Sequence, residues 1–158
     1  MRPIRFRGKK FNNEWTYGSL IIDKYERSDG HVYDVAFIAK NLPCAEQSDD
    51  MWVAKMKRVK VDTICQFTGL RDKNGKDIYE GDIVECVSWN EYFSNEGQPI
   101  EPFRRKMYVD FHKGAFVMVE PMPEPLQDHE WPIIYNGDIT IIGNRFDNPG
   151  MIANKSLG

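Results

Sequence analysis

The segment from residue 63 to residue 84 constrains the fold most, because two tight turns separate short runs of strand-forming residues. Residues 72–76 read Asp-Lys-Asn-Gly-Lys, and an Asn-Gly pair supplies two positive φ angles to a hairpin turn. Glu80-Gly81-Asp82 predicts a second turn before a strand over residues 83–89. A chain that reverses direction this often builds antiparallel strands and not long helices.

The N-terminal part also predicts strands. Residues 4–7 alternate apolar and arginine side chains, the period of two of a strand with one buried and one exposed face. Aromatic and β-branched residues return at residues 15–22, so residues 4–22 are predicted to form a hairpin. Residues 31–39 predict a third strand, whose continuous apolar end should be buried on both faces.

Residues 51–58 allow two interpretations. Asp49 or Asp50 could cap a short helix there, and Ala, Met, Lys and Arg favour that helix. Lys55, Lys57 and Val59 also alternate, which favours a strand from about residue 53 to residue 62. Both interpretations stay open from the sequence.

The C-terminal half predicts a long loop, a hairpin, a linker and a last strand. The polar stretch 90–105 is long enough for a loop that carries function or is mobile. Residues 107–112 and 115–119 flank Lys113-Gly114 and predict a second hairpin. Prolines and acids mark residues 120–131 as a linker, and residues 138–144 predict the final strand.

Composition narrows the class of protein. The mean hydropathy of -0.56 and the lack of a long apolar run exclude a membrane-spanning helix, and 13% aromatic residues argue against disorder. No apolar stretch follows the cations of residues 1–10, so we expect neither a signal peptide nor an anchor. Three cysteines, an odd number at wide spacing, fit reduced thiols in the cytoplasm and predict no zinc site.

The run from Val61 to Val84, which contains Thr68-Gly69-Leu70, Asp72-Lys73-Asn74-Gly75 and Tyr79-Glu80-Gly81-Asp82, closely resembles the hallmark of the YopX family of phage and prophage proteins. Residues 4–7 with Tyr17-Gly18, and residues 142–144 with Asn148-Pro149, resemble the two ends of that family. The middle loops, 90–105 and 120–131, depart from it. The resemblance implies an SH3-like β-barrel in the C-terminal part, homo-oligomers and no established molecular function.

The chemistry-bearing residues do not form a catalytic motif in the sequence. His31, His112 and His129 are isolated along the chain, and no metal-binding, nucleophile-elbow or phosphate-loop motif is present. Gly81-Asp82 and Gly137-Asp138 could bring two carboxylates together, but bonding within turns explains both. We therefore expect no enzyme, no cofactor and no metal site.

Basic residues predict a candidate nucleic-acid-binding surface. Three cations share one face of the first strand, and Phe6 lies between two of them in the sequence. Four more cations follow in residues 55–60. These candidates are Arg5, Arg7, Lys9, Lys55, Lys57, Arg58 and Lys60. The opposing interpretation is that the cations solvate a strand and protect a sheet edge, and a pI near 5.6 favours it.

Aromatic residues predict a second candidate surface. Most of them are needed for the core of a small barrel. Trp89, Tyr92 and Phe93, at the start of the long loop, form a candidate contact patch for a partner or a second subunit.

The sequence therefore predicts a mainly β protein with a minor helical content. Residues 1–62 form a β-rich N-terminal part, residues 63–150 an SH3-like barrel, and residues 151–158 a flexible tail. The expected function is a non-catalytic interaction or assembly module, and the alternative is a nucleic-acid-binding accessory protein.

Overall fold

The structure is a computed structural model that describes residues 4–40, 55–88, 103–122, 126–133 and 138–152. Most of these residues lie in antiparallel strands, which confirms the mainly β fold. The strands are β1 (Phe6–Lys9), β2 (Trp15–Glu26), β3 (Val32–Ala39), β4 (Met56–Val59), β5 (Cys65–Arg71), β6 (Asp77–Tyr79), β7 (Asp82–Ser88), β8 (Phe103–His112), β9 (Ala115–Glu120), β10 (His129–Pro132) and β11 (Asp138–Asn144). Short 3-10 turns occupy Val61–Thr63 and Pro149–Met151. Nowhere in the described ranges does a helix have the length and apolarity needed to span a bilayer.

The chain divides into two compact units, Met1–Gly69 and Leu70–Gly158. The sequence places this division a few residues earlier, between residues 62 and 63. β5 runs through the observed division, and its last residues lead into the hairpin with β6.

The first sheet has the order β4-β3-β2-β1-β5-β6, and the first unit contributes β1 to β4 and most of β5. Its core consists of Ala36, Ile38 and Val59, with Phe6, Leu20 and Ile64 packed against them. Gly18 is required where β2 passes β3, because a Cβ there would lie 2.0 Å from the carbonyl oxygen of Ala39. The core thus fixes the inner ends of β2 and β3.

The second unit contains the sheet order β10-β9-β8-β7-β11. Its core is larger and consists of Ile78, Val84, Cys86, Met107, Val109, Met118, Ile133 and Ile139. The ladders join neighbouring strands only, and no ladder joins β10 to β11 among the described residues. The two antiparallel sheets are therefore established, whereas closure into an SH3-like barrel stays a prediction.

Several sequence predictions are confirmed strand by strand. β1 and β2 form the predicted N-terminal hairpin, and β3 buries Ala36 and Ile38 at its inner end. β8 and β9 form the second hairpin, in which Lys113 and Gly114 both adopt positive φ, as a two-residue turn requires. β11 matches the predicted last strand.

Other predictions need correction. The helix interpretation of residues 51–58 fails over residues 56–58, which belong to strand β4, because pairing with β3 outweighs local helix preference. Lys55 is helical, and residues 51–54 lie outside the described residues. The predicted loop 90–105 ends earlier, because residues 103–105 already pair with β7. The predicted linker 120–131 contains most of β10, which pairs with β9.

The Asn74-Gly75 turn is present, but its geometry differs from the prediction. Gly75 has φ +79°, whereas Asn74 has no positive φ. The backbone N–H of Gly75 donates to the carbonyl of Asp72, and the N–H of Asp72 donates to the carbonyl of Lys76, at 2.9 Å each. This is a three-residue hairpin loop that needs one left-handed residue and not two.

The Asp72 side chain joins this hairpin to β11. One carboxylate oxygen accepts hydrogen bonds from the backbone N–H groups of Asn74 and Lys76, both at 2.9 Å, and the other accepts one from Ile141 at 3.1 Å. The N–H of Lys73 also donates to the carbonyl of Ile139 at 3.0 Å. The hairpin loop therefore covers part of the free edge of β11.

Burial and hydrogen bonding act on the Asp72 carboxyl in opposite directions. The residue is only 6% exposed, and burial alone raises the pKa of the carboxyl. The backbone N–H groups of Lys76, Ile141 and Asn74 favour the ionised form more strongly, so the pKa lies below its ordinary value. The folded state therefore stabilises the charged carboxylate.

We expect Asp72→Asn to lower the free energy of unfolding by about 1–3 kcal/mol at pH 7, because buried N–H groups lose a charged acceptor. The pKa of Asp72 is lower in the folded than in the unfolded state. The stabilisation is therefore complete above the unfolded pKa of about 4, and it is lost as the pH falls through the folded pKa. Urea unfolding across this pH range measures the difference between the two proteins. Asp138→Asn, on the exposed start of β11, is the control, and a difference that does not change with pH contradicts this account.

Candidate interaction surface

The outer halves of β2 and β3 form a two-stranded arm. β1 pairs with β2 over Trp15–Gly18, and β4 pairs with β3 over Ala36–Ala39. Beyond these ladders the described residues provide no further partner strand for β2 and β3, and every residue from 21 to 34 is exposed. We call residues 21–34 the β2–β3 arm.

The arm exposes apolar side chains on both of its faces. On one face Tyr25 lies opposite Tyr33, with ring centroids 5.3 Å apart, and Ile21 lies on the same face nearer the base of the arm. On the other face Ile22 and Val32 are each 57% exposed. The core of the first unit ends at Ala36, so nothing in that core covers these side chains.

Hydrogen bonds define the tip of the arm. The N–H of Arg27 donates to the carbonyl of His31 at 2.8 Å, and the N–H of Gly30 donates back to the carbonyl of Arg27 at 2.9 Å. Asp29 accepts a hydrogen bond from the N–H of His31 at 3.1 Å. The turn is therefore closed by its own bonds, and the strands enter it in fixed register.

Apolar side chains on the arm are in contact with water, which is unfavourable in free energy, and a partner that covers them would remove this cost. A two-stranded hairpin alone is at best marginally stable in water, and contiguous exposed apolar surface marks interaction sites in soluble proteins. The arm can bind a surface that buries its tyrosines and aliphatic side chains. It offers backbone edges as well as side chains to such a surface.

The predicted basic face of β1 is not a free surface. Arg7 and Lys9 are 5% and 9% exposed, so the arginine face that the alternation predicts to be exposed is instead covered. The Arg7 guanidinium lies 4.6 Å from the ring centre of Trp15, and the Lys9 ammonium 5.5 Å from it. Arg5, half-buried, lies over the ring of Phe67 at 4.5 Å. Cation–π contacts thus hold these cations within the first unit.

The second basic cluster is more accessible. Lys57 and Arg58 are exposed on edge strand β4, whereas Lys55 and Lys60 are half-buried. The backbone N–H of Lys60 donates to the carbonyl of Lys9 at 2.8 Å, so the ends of the two clusters meet. The structure therefore brings the clusters together but leaves the first one covered.

The predicted aromatic patch cannot be placed. Trp89, Tyr92 and Phe93 lie outside the described residues, and their role as a contact patch stays a prediction.

The residues weighed for catalysis are arranged differently from the sequence interpretation. Asp82 pairs with Asn144 and Asp138 with Val87, so the two residues lie at opposite ends of the β7–β11 ladder, with their backbones about 17 Å apart. His112 is not isolated, because its Nδ1 lies 2.7 Å from a carboxylate oxygen of Glu130. In the described part of the chain, no group of three His, Cys, Asp or Glu side chains could hold a metal ion.

Sequence reasoning missed the arm, although a signal was present. β2 is 12 residues long, about twice a typical strand, and its outer half has apolar residues at both odd and even positions. A strand covered on one face has apolar residues at one parity only. The mixed pattern of residues 21–26 therefore predicts either two covered faces or two faces that await a partner.

We expect the tip and the base of the same hairpin to respond differently to truncation. Tyr33→Ser, on the arm, should lower the free energy of unfolding by less than about 1 kcal/mol, because the side chain is exposed. Ile38→Ala, in the core, should lower it by about 2–5 kcal/mol. Urea unfolding of dilute protein measures both. Equal losses would show that the arm is covered within a single chain.

Comparisons with known proteins bear on the family of the chain. No curated protein matches the sequence significantly. Among solved structures, the crystal structure of protein EF1440 from Enterococcus faecalis is similar, with 20% sequence identity, a TM-score of 0.46, and coverage of 96% of this chain and 99% of that one. The family model described as "YopX protein" matches residues 5–153. The chain therefore belongs to the YopX family.

Proposed function

We propose that the chain is a phage- or prophage-encoded, non-catalytic interaction or assembly module, and that the β2–β3 arm is its contact surface. The observation that carries this proposal is the exposure of Ile21, Ile22, Tyr25, Val32 and Tyr33 on the two faces of one hairpin. The phage origin rests on the YopX resemblance of the run over residues 61–84.

Energetics support a protein partner for the arm. Tyrosines bring large contact area at a low cost in conformational entropy, and they are enriched at protein interfaces. Tyr25 and Tyr33 already pack against each other at 5.3 Å, so part of the ordering cost of binding is met before contact. A surface of this kind suits protein binding, and this role needs no catalytic residues.

The proposal also includes an SH3-like barrel in the second unit and a location in the bacterial cytoplasm. The order β10-β9-β8-β7-β11 around one core supports an SH3-like barrel in the second unit. The buried free thiol of Cys86 supports a reducing compartment, the bacterial cytoplasm.

A photo-crosslinking amino acid at position 33 tests the contact surface in bacterial cells that express the chain. We expect ultraviolet light to produce one discrete protein adduct, because the Tyr33 side chain faces the proposed partner. Position 111 is the matched control, since Phe111 is also an exposed aromatic strand residue but lies in the second unit. No adduct at position 33, or an identical adduct at both positions, would overturn the proposal. Mass spectrometry of the adduct identifies a second copy or another protein.

Nucleic-acid binding is the second candidate function, and one contact favours it. The Arg58 guanidinium lies 5.5 Å from the ring centre of Phe11, which is 62% exposed. Lys57, the next cation of β4, is also exposed, on the opposite face of the strand. A cation next to an open aromatic ring is the arrangement that stacks a base and holds its phosphate.

We expect Lys57→Ala with Arg58→Ala to abolish any affinity for single-stranded DNA at low salt, and we expect that affinity to fall steeply as salt is added. Fluorescence anisotropy with a labelled oligonucleotide measures both effects. Lys73→Ala, at an exposed position in the second unit, is the control. Absence of binding by the wild-type protein at low salt removes this candidate.

A further inference from the structure

Within the part of the chain that the structure describes, no strand pairs with the outer edge of the arm's first strand. The N–H of Arg27 is directed at β3, where it donates to His31, so alternation directs the backbone groups of residues 22, 24 and 26 away from β3. No described strand pairs with that side of β2 beyond Gly18. An open edge with apolar neighbours is a template for a further strand.

The charges along this edge are antisymmetric. Residues 23–27 read Asp-Lys-Tyr-Glu-Arg, which is minus, plus, neutral, minus, plus. Read in the opposite direction, the same five positions carry the opposite sign at each charge. A second copy laid antiparallel about Tyr25 would therefore meet an opposite charge at every charged position.

We propose that the β2–β3 arm pairs with the arm of a second copy of this chain, β2 against β2, with Tyr25 opposite Tyr25. Lys24 then lies opposite Glu26 of the second copy, and Asp23 opposite Arg27, each twice because the two-fold symmetry repeats every contact. This pairing rests on the proposed function of the arm, and it names the partner.

The register suits the backbone as well as the charges. It pairs residue 24 with residue 26 of the second copy, and the backbone groups of both are directed outward. The two hairpins then form one four-stranded sheet, and Tyr33, Tyr25 and their two symmetry mates form a row on one face. Three or more strands with an apolar face have the stability that a lone hairpin lacks.

One contact within the chain marks the same edge. Asp23 accepts a hydrogen bond from the N–H of Lys24 at 2.8 Å, so its carboxylate takes the place of a partner carbonyl. In the pair, the Lys24 N–H donates to the second copy and Asp23 is released to Arg27. In the single chain the Arg27 guanidinium lies 3.8 Å from the Asp29 carboxylate, and both side chains are at least half exposed.

Charge-reversal variants test this register. Lys24→Glu places two carboxylates opposite each other at positions 24 and 26, and Glu26→Lys places two ammonium groups there. Each variant alone should therefore self-associate about tenfold or more weakly than the wild type. A mixture of the two variants restores opposite charges at every position and should recover the wild-type association. Lys73→Glu makes the same charge change at an exposed residue of the second unit and should have no effect. Sedimentation velocity at low salt measures the association, and far-UV circular dichroism checks the fold.

The outcomes separate this inference from the proposed function. A wild-type monomer at all concentrations, single variants that associate like the wild type, or a mixture that does not recover would each overturn the β2–β2 pairing. If the pairing fails while position 33 crosslinks to a different protein, the arm remains a contact surface with another occupant. If position 33 also yields no adduct, both proposals fall.

Discussion

The Asp72 carboxylate is the interaction on which the second unit depends. It holds the turn of the β5–β6 hairpin through Asn74 and Lys76, and it attaches that turn to β11 through Ile141. β11 is an edge strand with an irregular register between Ile141 and Gly143, so its other edge needs a cover. One ionised side chain therefore closes a turn and attaches that turn to the edge of β11.

The residues that identify the family act as turn and strand-end residues. Asp82 accepts the N–H of Tyr79 at 2.8 Å, and Gly81, with φ +76°, bonds to both Val109 and Arg145. At the other end Asn144 accepts the N–H groups of residues 146 and 147, and its own N–H donates to Asn148. Backbone geometry requires residues of these types at turns and strand ends. The residues that carry the family resemblance therefore do not indicate a reaction.

Strand existence was predictable because it depends on local pattern, whereas exposure was not. The alternation of residues 4–7 correctly predicts β1, yet Arg7 is buried against Trp15, because a period of two does not reveal what lies on each side of a strand. Residues 129–132 pair with β9 despite the surrounding prolines, since Pro132 ends the strand at a sheet edge, where it is tolerated. Prediction of the arm would have required the positions at which β1 and β4 end, and these are a property of the whole sheet and not of the β2 sequence.

The buried cations and the exposed tyrosines have a common cause. Both depend on how many neighbours the sheet supplies at a given position along β2. Near Trp15, β1 pairs with β2 and β5 pairs with the far side of β1, and aromatic rings cover the cations that the pattern places outside. Beyond Gly18 the pairing with β1 ends, and apolar side chains that would be core in a wider sheet become surface. The length of β2 relative to its partner strands therefore decides which part of the first unit is buried in the sheet and which part is exposed for contact with a partner.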